Sequence, residues 1–314
     1  MFPFPTFPES ASSISGRIDL LYLFLVGISM LMSVSIFLCI LFFAIKYRRG
    51  SRADRSNIRH HSGTVELLWS GIPLLVFVFV FGWGASIFYD AFTAPDDALQ
   101  VYVVGKQWMW KIQHPEGKRE INQLHVPVGE SVKLTLTSED VIHDFFIPAF
   151  RVKRDVLPGR YTSLWFRAIK TGSFHLFCAQ YCGTNHSAMI GSVVVMEPTD
   201  YQNWLAGGPP AESMAAAGAK LFERYNCNTC HRPGGRGPPL SQVFGSQVLL
   251  ASGATVLADE AYLRESILNS TAQVTAGYQP IMPTFQGQIS ETGVLHLIAY
   301  LQSLGAGGKV QAQP

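Results

Sequence analysis

Two clusters of sulfur and imidazole side chains carry the chemistry that this sequence can do. The first is Cys178-Ala-Gln-Tyr-Cys182-Gly-Thr-Asn-His186-Ser-Ala-Met189, with two thiols, an imidazole and a thioether inside twelve residues. Soft sulfur ligands combined with histidine select copper or zinc. Zinc usually takes four strong Cys or His ligands, commonly paired as CxxC, so a methionine and a three-residue gap suit copper better. Spacing alone leaves a disulfide between Cys178 and Cys182 open as well, since oxidising compartments permit one.

The second cluster is Cys227-Asn-Thr-Cys230-His231, the pattern of c-type haem attachment. Both thiols form thioethers to the haem vinyls, and the adjacent histidine is placed to ligate iron. A CxxC can also serve as a redox disulfide, but thiol exchange has no necessary role for a histidine directly after it. Beyond His231 the chain has one methionine, Met282, and one other histidine, His296. Met282 lies in Gln-Pro-Ile-Met-Pro-Thr-Phe, a prolyl loop that can present a side chain without helical constraint. His296 lies in Gly-Val-Leu-His-Leu-Ile-Ala-Tyr-Leu, the spacing of a closing amphipathic helix, which suits a core or surface role. Met282 is therefore the expected sixth ligand, and His/Met ligation raises the reduction potential.

These clusters need elements to hold them. Of 314 residues only 15% are charged and 48% are hydrophobic, against about 25% charged in an ordinary soluble domain. That excludes a disordered or nucleic-acid-coating chain and points to a membrane. Residues 20–45 and 67–89 carry no charge, and about 20 apolar residues span a bilayer. The first span is too long for a secretory signal and no basic region precedes it. Lys46, Arg48, Arg49, Arg52, Arg55 and Arg59 follow it against one acid, Asp54, so the positive-inside rule places that loop in the cytoplasm and both termini outside. Glu66, at the cytoplasmic end of the second span, reads either as a solvated interfacial carboxylate or as a proton acceptor.

After the second span the period changes. Val101, Val103, Val132, Leu134 and Leu136 alternate with polar neighbours as half-buried strands do, and Pro-Glu-Gly-Lys (115–118) and Pro-Gly-Arg-Tyr (158–161) are turns. About a hundred residues of strand predict a sandwich or small barrel. His114, His125 and His175 lack partner spacing and read as ordinary core or surface histidines. The expected division is a tail (1–16), a membrane hairpin (17–90, loop 46–66), a β-domain (91–198), a linker (199–210), a helical domain (211–305) and a frayed tail (306–314).

The copper-type motif, with Asp-Val-Ile-His143 and Phe-Ile-Pro-Ala-Phe upstream, resembles the dinuclear copper-A loop of cytochrome c oxidase subunit II, over about residues 17–198. The resemblance implies a cupredoxin Greek-key sandwich in which Cys178 and Cys182 bridge two coppers. His143 and His186 would each complete one copper, with Met189 and the Gln180 main-chain carbonyl as weak axial ligands. It implies that electrons come in over Trp108 and Trp110, although two same-face sandwich aromatics explain that pair equally simply. It places Glu66 at the mouth of a proton channel. Arg151–Asp155 and Arg160 match a segment lying against the catalytic subunit, or form a solvated turn. The family usually has Glu at position 180, helping to bind an interfacial magnesium; neutral Gln180 is a poorer ligand for a hard cation and weakens the case for that metal.

Residues 211–304 resemble an all-α class I cytochrome c. On Gly237-Pro238-Pro239-Leu240, the match implies that the Pro238 carbonyl orients His231. In this order the segments resemble subunit II of a caa-type, proton-pumping oxidase in a bacterial inner membrane, with its redox domains on the periplasmic side. The implied partners are subunit I (haem a and its copper), subunit III, membrane lipid and an external donor: a cytochrome, a copper protein or a quinol-oxidising complex. Neither span contains a histidine, so oxygen would be reduced on another subunit. The copper-bearing small subunit of a nitric oxide reductase and a membrane-anchored electron carrier remain as alternatives.

Overall fold

The computed structural model describes residues 7–56, 61–207 and 212–305. Parts of both expected tails, Arg59 and the end of the linker lie outside them. Two long helices, α1 (Ser15–Lys46) and α2 (Gly63–Phe92), form the hairpin. At 1.5 Å per residue each exceeds the roughly 30 Å hydrocarbon core. Their apolar side chains point outwards, Leu67 and Phe81 among them, as lipid-facing residues must. The helices meet through Phe24, 5.8 Å from Phe79 and 5.5 Å from Trp83. Because α2 begins at Gly63, four residues ahead of the uncharged run, Pro73 sits well inside the helix.

The β-domain has ten strands: β1 (Leu99–Lys106), β2 (Met109–Gln113), β3 (Arg119–Ile121), β4 (Gln123–Pro127), β5 (Ser131–Ser138), β6 (His143–Ile147), β7 (Val152–Val156), β8 (Thr162–Arg167), β9 (Gly172–Cys178) and β10 (Ile190–Met196). They form two five-stranded sheets, β3-β2-β1-β5-β8 and β4-β10-β9-β6-β7, packed as a cupredoxin-type sandwich. The alternation expected from sequence is present, since Val101, Val103, Val132, Leu134 and Leu136 are all fully buried between the sheets. Their neighbours Tyr102 and Val104 are buried too, because the C-terminal domain covers that outer face.

The C-terminal domain comprises α4 (Met214–Arg224), α5 (Glu260–Leu268) and α6 (Glu291–Gly305), with a short antiparallel hairpin, β11 (Gln247–Leu249) and β12 (Thr255–Leu257). It is helical as expected, plus that hairpin. Helices α4 and α6 cross at Gly218, where an added Cβ would lie 1.9 Å from the His296 carbonyl oxygen. That oxygen is helix backbone and cannot give way. Gly218→Val should therefore separate the two helices and destabilise the C-terminal domain, measured as a lower thermal unfolding midpoint.

The segment expected as linker is largely a helix, α3 (Pro198–Ala206). Its aromatic residues supply the reason. Tyr201 is 1% exposed and donates its hydroxyl to His114 Nδ1 (3.1 Å), while Trp204 stacks on His125 at 4.4 Å. Both imidazoles bond the Glu120 carboxylate, at 2.9 and 2.5 Å, so His114 and His125 serve the packing; His175 is exposed. The turn between β2 and β3 staples both sides of the connection. Lys118 Nζ donates to the Trp204 (3.1 Å) and Gly207 carbonyls at the end of α3, and the Pro115 carbonyl accepts from Met214 N (3.1 Å) at the start of α4.

Candidate metal and haem sites

The loop from Cys178 to Met189 hangs between β9 and β10, and His143 opens β6 beside it. Ladder pairing of Phe145 with Cys178 brings His143, 35 residues away in sequence, to the cysteines. The Cys178 and Cys182 sulfurs stand 3.7 Å apart. A disulfide needs about 2.05 Å, whereas two sulfurs on one tetrahedral metal at ~2.3 Å lie roughly 3.8 Å apart. Around that pair, His143 Nδ1 is 3.9 Å and the Gln180 carbonyl 3.2 Å from Cys178 Sγ. His186 Nδ1 is 3.5 Å and Met189 Sδ 3.8 Å from Cys182 Sγ. All six expected donors thus converge, and this soft donor set fits copper.

Burial pushes the Cys178 thiol up, but hydrogen bonds with His143 and the backbone outweigh it and bring it down to about 7. Burial and the neighbouring Cys178 sulfur push Cys182 up to about 12. Cys178 is thus the more acidic thiol of the pair, and a cation held there would favour the thiolate form of both.

Asp140 is a residue that motif reading missed. Its Oδ1 accepts from His143 Nε2 (2.9 Å) and its Oδ2 from the Gln107 backbone N–H (2.8 Å), which leaves Nδ1 of His143 facing the sulfurs. The only trace in sequence is an Asp three residues before the histidine. Asp140→Asn should weaken copper affinity by about 10–100-fold, the usual cost of losing such an orienting partner, read by competition with a chromophoric chelator.

Trp108 and Trp110 part company. Trp110 is fully buried in the sandwich, its ring 5.9 Å from that of His143. Trp108 lies in the turn between β1 and β2, half-buried, and its Nε1 donates to the Cys182 carbonyl (3.2 Å) beside Gln107 Nε2 (2.8 Å). Gly183, at φ +115, takes a backbone conformation that L side chains rarely adopt.

The second site is a cavity of about 730 Å³ whose walls include Cys227, Cys230, His231, Pro238 and Met282 among mainly apolar residues. The size and lining suit a large planar apolar group. His231 Nδ1 donates to the Pro238 carbonyl at 2.8 Å, leaving Nε2 for a metal. Gly237 permits this, as a Cβ there would lie 2.9 Å from the imidazole. Ser270 Oγ donates to the Met282 carbonyl (2.6 Å) and pins the methionine loop. His296 is absent from the walls; it is buried on the other side of α6, with Nε2 donating to Gln113 Oε1 of the β-domain at 3.2 Å.

Glu66 lies in the first turn of α2, 2.7 Å from His61 Nδ1 and 42% exposed. Arg151, expected to face a catalytic subunit or solvent, instead binds inside the chain, with Nε 2.8 Å from Asp19 of α1 and Nη2 donating to the Pro8 carbonyl (2.8 Å). Arg154 lies over the Phe92 ring at 4.9 Å.

The family described as cytochrome C oxidase subunit II, periplasmic domain, matches residues 117–197, and the cytochrome c family matches 215–305. Cytochrome c oxidase subunit 2 of Alkalihalophilus pseudofirmus is 31% identical over 293 residues, 86% of this chain and 83% of the relative. The chain belongs to the cytochrome c oxidase subunit II family. An alternative cytochrome c oxidase subunit 2 from Bradyrhizobium diazoefficiens is 32% identical over 46% of this chain and 63% of its own length. Subunit 2 of Thermostichus vulcanus is 42% identical over 35% and 33% respectively. As a family member carrying a cytochrome c domain, the chain is a membrane-anchored, electron-transferring subunit of a haem-copper oxidase.

Proposed function

We propose that this chain is subunit II of a proton-pumping, caa-type cytochrome c oxidase. In this reading electrons arrive at a haem c bound covalently through Cys227 and Cys230, pass to a dinuclear copper centre, and leave for haem a of subunit I, where O2 becomes water. The carrying observation is the 3.7 Å sulfur pair with donors on both flanks, in one chain with a cavity presenting CxxCH and Met282. Two bridging thiolates would spread one unpaired electron over both metals, so that geometry changes little on reduction.

The protein's own residues do the remaining work. Asp140 and Pro238 orient the His143 and His231 imidazoles. Trp108 and Gln107 hold the metal loop by its Cys182 carbonyl and place an indole at its rim, where electrons can cross. Phe145, paired with Cys178 across the sheet, belongs with Cys178 and Cys182 to the buried core that excludes water on that side. Glu66, at the cytoplasmic end of α2, would receive protons for subunit I. Gln180 is exposed and supplies no carboxylate for an interfacial magnesium. The partners in this reading are subunits I and III of a bacterial inner-membrane complex, with both redox domains in the periplasm.

The purified complex tests this directly. Expected are a seven-line copper resonance, haem a co-purifying with haem c, and oxygen uptake. Consumption of NO without O2 would assign the partner to the nitric oxide reductases. A chain that purifies alone with one copper or none would make it an electron carrier. For Glu66, Glu66→Gln should lower proton uptake while leaving the copper resonance unchanged.

A further inference from the structure

The haem-binding domain presents its back to the β-domain. The buried cluster of Tyr102, Val104, Met214 and Leu295 joins the two. Around it His296 bonds Gln113, Tyr102 bonds Gln302 (3.3 Å), and Arg264 bridges Glu291 and the Gly159 carbonyl across the Tyr161 ring. With Lys118 and Pro115 holding both sides of the connection, the domain is docked. No residue of the β-domain contributes to the wall of its cavity.

The side of the cavity left open has a distinctive charge pattern. Arg224, Arg232 and Arg236 flank the attachment motif in sequence, all exposed, and Arg236 itself lines the cavity. Among the described residues none of the three lies within ion-pair distance of a carboxylate, whereas Lys220 and Arg264 of the same domain are paired with Glu212 and Glu291. Residues 237–258 and 266–290, which build most of the remaining wall, contain no charge at all. The nearby acids do not cancel the arginines. Glu265 is half-buried and accepts from Gln273 Nε2 (2.7 Å), which leaves Glu223 as the one exposed acid in the 223–236 segment. A segment with three exposed arginines against one exposed acid, beside an uncharged wall, steers a negatively charged partner towards it.

We infer that this opening is the docking surface for an acidic one-electron carrier protein, which reduces the haem domain while that domain stays docked. The inference rests on the haem reading above and names the chemical class of its donor. The carrier gives up one electron and the haem iron gains it, with no bond made or broken.

The test uses the assembled oxidase and two forms of one probe: reduced mitochondrial cytochrome c, whose surface is basic, and the same protein with its lysines succinylated. At low ionic strength the succinylated form should reduce the haem domain at least about tenfold faster, and the advantage should vanish as salt rises, as steered association does. Arg224→Gln/Arg232→Gln should remove most of that advantage, with covalent haem content and the visible spectrum reporting that the domain is intact. A faster rate with the basic form, or rates indifferent to salt, overturns the inference. Absence of covalent haem in the unsubstituted chain would instead overturn the haem reading.

Discussion

Cys182→Ser eliminates copper binding in the β-domain and stops oxygen uptake by the assembled oxidase. The Cys182 sulfur stands at the centre of the donor set, 3.7 Å from Cys178 Sγ, 3.5 Å from His186 Nδ1 and 3.8 Å from Met189 Sδ. A serine hydroxyl is hard and stays protonated at neutral pH, so it replaces neither the charge nor the softness that copper selects. The loss should exceed the ~10–100-fold expected for removing an orienting partner such as Asp140. Met189→Leu is the control, a volume-conserving exchange at a fully buried position costing under about 1.5 kcal/mol of stability. It should retain copper with a changed spectrum, because one weak donor is lost. Copper-to-protein ratio and paramagnetic resonance check both variants. A Cys182→Ser protein that keeps its full copper content would refute the bridged arrangement.

Met282→Leu leaves the haem attached but lowers its reduction potential. In the proposed reading attachment is through Cys227 and Cys230, which the substitution does not touch, whereas the potential depends on the axial ligands, whose identity spans about 0.8 V across haem proteins. Loss of the thioether should lower it by on the order of 100 mV or more and slow the delivery of electrons to copper. His296→Gln should leave the potential unchanged, since His296 faces Gln113 and not the cavity. Redox titration of the two variants decides the ligand; a shift in the His296 variant alone would reverse the assignment.

Much of this was legible because the chemistry is local. Both cysteine pairs, His186, Met189 and His231 lie within short motifs, so chain connectivity alone keeps them near one another. The spans and strands were legible because hydrophobic period follows burial on one face. His143 and Met282 needed more, the first a family likeness and the second an elimination, since each comes from a distant segment. Asp140 escaped because a single carboxylate three residues from a histidine has no specific pattern. The helix at 198–206 escaped because its stability comes from Tyr201 and Trp204 packing on His114 and His125, contacts some 80 residues apart in the chain.

The amino-acid order by itself determined the membrane hairpin, the two-domain plan and the kind of ligand at each site, since solvent transfer, strand alternation and ligand softness are properties of residue types and short spacings. Tertiary structure alone decided that the two sulfurs meet His143, that His296 turns from the cavity to the β-domain, and that Arg151 pairs with Asp19. Those outcomes depend on which face of one element packs against another, and that follows from how the whole chain excludes water.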